Sequence, residues 1–283
     1  GLTPGDEAPW TPAQALLAQP APDGRTASRT VHGDPPDPTD VSDELKQVYA
    51  HIDENFEGYV ASLRDWVRIP SVSNTVEGQP GVWESAKFVK RLITEELGCE
   101  AEIYHPGITE WGAPGNPVVF GRCDVGADRT ILDYIQSDAM PEWPEDEWEA
   151  PPFGGQIIEK PPFKRVMVGR AANNHKGREL AQLAALISIK KATGTLPVNM
   201  IFVADHDEER MEVGLRKFMF DHADWFADAD AAFGYAGNQL ADGRARLEGQ
   251  SIGCAVVELE TRGARPGTRL GQQPMWRHVK MLS

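Results

Sequence analysis

The sequence predicts an α/β fold in which helices cover both faces of a mixed sheet. Two observations carry that expectation: segments of helical periodicity alternate with short apolar strands, and residues 196–203 form a near-continuous apolar run. Such a run suits a strand covered on both faces. In sheets of this kind ligands bind beyond the carboxyl ends of strands, so the segments that follow strands are where a site is expected.

Taken in order, residues 1–40 are rich in Pro, Gly, Ala, Thr and Asp without a sustained period, and read as a flexible amino-terminal segment. From Ser42 the pattern changes. Leu45, Val48, Ile52, Phe56, Val60, Leu63 and Val67 recur at three- and four-residue steps, one face of a helix that Pro70 ends. Trp83, Ala86, Val89, Leu92, Ile93 and Leu97 mark a second helix, stopped by Gly98. Short strands follow at residues 101–104 and 118–121. Residues 128–149 are acidic, with Trp143 and Trp148 close to prolines, and read as a long surface loop. A helix over residues 177–193 turns Leu180, Leu183, Ala184 and Ile187 inward, and the apolar strand 196–203 comes next. A helix over residues 213–226 and strands near 231–235 and 252–260 complete the pattern.

The chain of 283 residues has 41% hydrophobic and 25% charged residues, ordinary for a soluble globular protein. Its net charge of −15 argues against a nucleic-acid or anionic-membrane surface as partner, since phosphate binding needs clustered Lys and Arg. A small-molecule substrate or another protein is the expected partner. No apolar stretch reaches the roughly 20 residues of a spanning helix, and the amino terminus lacks a secretory pattern, which leads to the expectation of a cytoplasmic protein. Cys99, Cys123 and Cys254 are odd in number and widely spaced, which suits a reducing compartment better than a disulfide framework.

The run Asp205-His206-Asp207-Glu208-Glu209 follows the apolar strand almost directly. Adjacent carboxylates repel and are costly to desolvate, so they persist mainly where a cation or a proton transfer uses them. Residues 121–125 and 169–177 also fall after a strand or at a helix start. These three segments, with Ile69-Pro70-Ser71-Val72-Ser73 and the Trp-x-x-x-Pro-Phe element at 148–153, resemble the zinc aminoacylase and carboxypeptidase family. That family includes carnosinases, glutamate carboxypeptidases, acetylornithine deacetylases and succinyl-diaminopimelate desuccinylases.

The resemblance implies a zinc-peptidase-like catalytic lobe over residues 41–250 and the start of an inserted α+β dimerisation domain over 251–283, hence a possible homodimer. It implies a metal-dependent hydrolase that cleaves an amide bond of a small carboxylated substrate or dipeptide. Glu208 falls in the general-base position, Glu209 in a metal-ligand position, and Asp124 on the aspartate that orients a metal-bound histidine. Other positions depart from the pattern. Arg122 stands for a ligating histidine, Asn174 for a bridging aspartate, Ala236 for a later aspartate, and Arg265 for the histidine of the dimerisation domain. Arg122 and Arg265 can instead bind a substrate carboxylate.

His175 and His206 with Glu209 can form a mononuclear site for zinc or manganese; the alternative is that His175 lines a helix start and His206 fills a turn. The departures leave one ion or none as the expected metal content. Three readings therefore stand: an amide hydrolase, an inactive or truncated relative serving binding or assembly, and an aromatic-amine aminohydrolase with a mononuclear site.

Overall fold

The computed structural model describes residues 41–161 and 163–234. The expected segment 1–40, the strand 252–260, the dimerisation-domain start, Cys254, Ala236 and Arg265 lie outside the described residues.

Helix α1, Asp43–Val67, starts where the Ser42 hydroxyl accepts the Leu45 N–H at 3.2 Å, with Asp43 and Glu44 in its first turn. Helix α2, Gln79–Arg91, runs into a wider turn over Leu92–Glu96 and stops at Gly98, whose φ of +59° is left-handed. The strands are β1 (Glu100–Tyr104), β2 (Val118–Cys123), β3 (Thr130–Gln136), β4 (Gln156–Lys160), β5 (Phe163–Val168), β6 (Asn199–Asp205) and β7 (Ala231–Gly234). Helix α3, Lys176–Thr193, precedes β6, and α4, Val213–Asp221, follows it.

The sheet order is β1-β2-β6-β3-β7, with β4 and β5 in a separate antiparallel pair. β1, β2 and β6 are antiparallel neighbours, whereas β6, β3 and β7 are parallel. The sheet is mixed, with helices on both faces.

The apolar run of β6 supplies a core to each face by alternation. Met200, Phe202 and Ala204 join Trp66, Ile93, Leu97, Leu183 and Ile187 in one cluster, under α1, α2 and α3. Ile201 and Val203 join Val118, Phe120, Leu132, Leu215 and Phe218 in the other, under α4.

Three expectations are corrected. The acidic segment 128–149 is not a surface loop throughout: it contains β3, a central strand with Leu132, Asp133 and Ile135 buried. The helix from 213 ends at Asp221 and gives way to a 3-10 turn at Ala223–Phe226. Cys99 and Cys123 are joined in a disulfide, because antiparallel pairing of β1 and β2 brings their Cα atoms to 4.9 Å. No helix among the described residues is long and apolar enough to cross a membrane.

Candidate metal centre

Parallel pairing of β3 with β6 sets Gln136 opposite Asp205, so both strands deliver their carboxyl ends to one edge of the sheet. The chain beyond β3 brings Asp138, and the chain beyond β6 brings Glu208 and Glu209 on a 3-10 turn. The Glu209 N–H donates to Asp138 Oδ2 at 3.1 Å, which locks the two loops together. His175, the residue before α3, completes the group. Its Nε2 lies 2.8 Å from Glu208 Oε2 and 3.5 Å from Glu209 Oε1. Ligand atoms of His175, Glu208 and Glu209 all lie within 4.8 Å of one another.

The electrostatics follow from burial and pairing. Burial opposes a charged His175, but the hydrogen bonds to Glu208 and Glu209 outweigh it and raise the imidazole to about 9. The two carboxylates thus favour a proton on the His175 imidazole between them. Burial pushes the Asp138 carboxyl up to about 6, against the opposing pull of the Glu209 N–H and His175. Lys176 is fully buried and donates to Trp66 O at 3.0 Å and Ile69 O at 2.7 Å, tying the end of α1 to the start of α3. Burial lowers its ammonium to about 7.

The rest of the acidic run is divided among other tasks. Asp205 belongs to β6 and is buried; its Oδ1 accepts the Asp207 N–H at 2.9 Å. Burial, with Asp138 and Asp207 nearby, keeps its carboxyl well above the usual range. Asp207 accepts the N–H groups of Asn116 and Gly214 at 2.8 and 2.9 Å and pairs with Arg210 at 3.1 Å. These two acids brace the loop. His206 is fully buried, which lowers its imidazole to about 3, and it stands outside the cluster of His175, Glu208 and Glu209. The expectation that His206 joins His175 is not met.

Arg122 and Asp124 are also not beside the glutamate pair. β2 runs antiparallel to β6 and pairs Cys123 with Met200, so its carboxyl end lies at the opposite edge of the sheet. Met200 and Asp205 are five residue steps apart along β6, about 17 Å of strand. Arg122 pairs there with Asp228 and donates to Trp225 O at 3.1 Å, while Asp124 Oδ1 accepts the Gly126 N–H at 2.9 Å in a local turn. Arg265 lies outside the described residues.

Asp138, beside this group, is a residue that the sequence pattern did not single out. The signal for it is spacing: Gln136-Ser137-Asp138 has an Asp two residues on, as Arg122-Cys123-Asp124 has, directly after the apolar Ile131, Leu132 and Ile135. Asn174 is in this neighbourhood too; its Oδ1 accepts from the Arg178 guanidinium.

The donor set fits one divalent cation. A neutral His175 imidazole and the Glu209 carboxylate offer nitrogen and oxygen ligands, and the Glu208 carboxylate beside them adds a second negative charge. Among the described residues no fourth His, Cys, Asp or Glu joins this group, and Asn174 beside His175 brings only a neutral amide, so the set does not fit a bridged pair of cations.

A model of peptidase family M20/M25/M40 matches residues 135–281. The Cys-Gly metallodipeptidase of Schizosaccharomyces pombe is 32% identical over 193 residues, covering 66% of this chain and 39% of that protein. The β-Ala-His dipeptidase of Mus musculus is 23% identical over 190 residues, covering 64% of this chain and 37% of its own length. Among solved structures, the di-peptidase Dug1p of Saccharomyces cerevisiae superposes with a TM-score of 0.60 at 24% identity, over 69% of this chain and 42% of that one. The metallo-carboxypeptidase Sso-CP2 of Sulfolobus solfataricus gives 0.54 at 26% identity, over 72% and 39%. The chain thus spans about two fifths of the length of these relatives.

Proposed function

Because the chain belongs to peptidase family M20/M25/M40, we propose that its described lobe is a single-metal variant of a metallopeptidase site that acts on small peptides or acyl-amino acids. The observation that carries this reading is the convergence of His175, Glu208 and Glu209 ligand atoms within 4.8 Å at the carboxyl edge of the sheet. His175 and Glu209 would hold the cation, and zinc or manganese suits these ligands. A divalent cation there would supply Lewis acidity toward an amide carbonyl. Glu208 accepts a water proton at Oε2, the atom that faces His175. Asp138 fixes the Glu209 backbone and, through it, the direction of the Glu209 side chain.

In this reading the family's first motif falls on Gln136-Ser137-Asp138, with Asp138 as the orienting acid and Gln136 at the ligand position. A second reading, in which the lobe binds a small peptide without turnover, is supported by the neutral amides Gln136 and Asn174 where a second cation would need acids. An aromatic-amine aminohydrolase with the same single cation is the other reading the site admits. Metal analysis of the purified protein, with zinc and manganese titrations, comes first: about one ion per chain is expected, reduced at least tenfold in affinity by Glu209→Gln. A screen of dipeptides, acyl-amino acids and aromatic amines then separates the readings. No bound ion at millimolar metal defeats all of the metal readings together.

A further inference from the structure

A cleft of about 370 Å³ lies between the chain around Trp143 and Trp148 and the β4–β5 pair, lined among others by Glu147, Lys160 and Arg170. Its volume falls in the roughly 300–1,000 Å³ range of small-molecule sites. None of its lining residues belongs to the metal centre.

The charges inside it are not all matched. Lys160 is paired with Glu149, so these two cancel. The Arg170 guanidinium sits over the Trp148 ring, 5.0 Å from its centroid, and its buried Nε has no hydrogen-bond partner among the described residues. No carboxylate among the described residues pairs with it. A guanidinium is a fork of donors, and the outer nitrogens of this one make no hydrogen bond among the described residues on a side chain that lines the cleft, so they can offer paired donors to a carboxylate there. The Trp148 ring is fixed by its Nε1–H, which donates to Glu142 O at 2.7 Å. Trp143 is 72% exposed, an aromatic ring of unusual exposure at the same cleft. Glu147 is exposed and has no ion-pair partner among the described residues.

We propose that this cleft binds a small aromatic amino acid or the aromatic end of a short peptide. The ligand carboxylate takes the Arg170 fork, its ring packs on Trp143 and Trp148, and its ammonium faces Glu147. This combination answers the orphaned guanidinium, the two rings and the acid at once. An aliphatic anion leaves the rings unused, and a bare cation leaves Arg170 unpaired.

The site is tested on the whole chain in EDTA, which separates it from the metal centre, by tryptophan fluorescence during titration with L-phenylalanine and, in parallel, phenethylamine. Saturable quenching by L-phenylalanine is expected, with phenethylamine at least about tenfold weaker because it lacks the carboxylate. Arg170→Gln is expected to weaken L-phenylalanine about tenfold and to narrow the gap between the two ligands. Trp143→Ala, a substitution at an exposed side chain, weakens both ligands and keeps the test valid if Arg170→Gln fails to fold. Absence of saturation up to about 10 mM, or equal affinity for the two ligands in the parent protein, overturns the proposal.

Discussion

His175 faces Glu208 and Glu209 at 2.8 and 3.5 Å, and these carboxylates favour a proton on its imidazole. Metal binding therefore competes with that proton. His175→Gln is expected to lower zinc affinity by at least about tenfold, read by calorimetric titration at pH 7, and unchanged affinity counts against His175 as a ligand. Asp133 makes a different residue-level test. It is buried in β3, accepts from Gln182 on α3, and burial together with the nearby Glu179 holds its carboxyl well above the ordinary value. The native state keeps this proton more tightly than the unfolded chain. Its contribution is fully present below about pH 3.9 and is lost as pH rises. Asp133→Asn should raise Tm at pH 8 and leave it nearly unchanged at pH 3.5, checked by thermal melts at both values. A Tm that falls at pH 8 contradicts the sign.

At the scale of elements, the turn before α3 carries His175 and depends on close backbone approach. A Cβ at Gly177 would collide with the Ala172 carbonyl oxygen. Gly177→Ala should therefore displace the 169–176 loop and weaken metal binding, while α3 remains anchored by the buried Leu180, Leu183 and Ile187. Metal titration beside circular dichroism tests this: lost affinity with retained helix signal is expected. Helices α1, α2 and α3 were legible because apolar residues recur along one face, and β6 because its run is apolar on both. β3 was not. Asp133 and Tyr134 interrupt its apolar residues, and what offsets burying Asp133 is Gln182, some fifty residues away. Local pattern cannot report such a partner. β2, on which the sequence places the family's first motif, runs antiparallel to β6 and carries Arg122 and Asp124 to the opposite end of its strands.

Across the whole lobe, β6 joins the two cores, and the edge of the sheet at β1 is tied to β2 by Cys99 and Cys123 across a separation of 24 residues. In the loop-entropy description a bridge of that length adds about 3 kcal/mol, so a Cys99→Ser, Cys123→Ser double variant should be destabilised by about that amount in urea unfolding. Non-reducing mass analysis checks the bridge itself. Widely spaced cysteines carried no signal of it, since register alone makes them neighbours.

By itself the sequence determined the α/β class, the buried strand β6 and the chemical character of the Glu208-Glu209 pair, because periodicity, apolar runs and adjacent carboxylates are local properties of the chain. Tertiary structure decided which residues share the site. Parallel pairing of β3 with β6 put Asp138 beside Glu209, the turn before α3 brought in His175, and burial withdrew Asp205, His206 and Asp207 from the cluster. Those outcomes depend on strand direction and on distant hydrogen-bond partners, which a linear pattern does not contain.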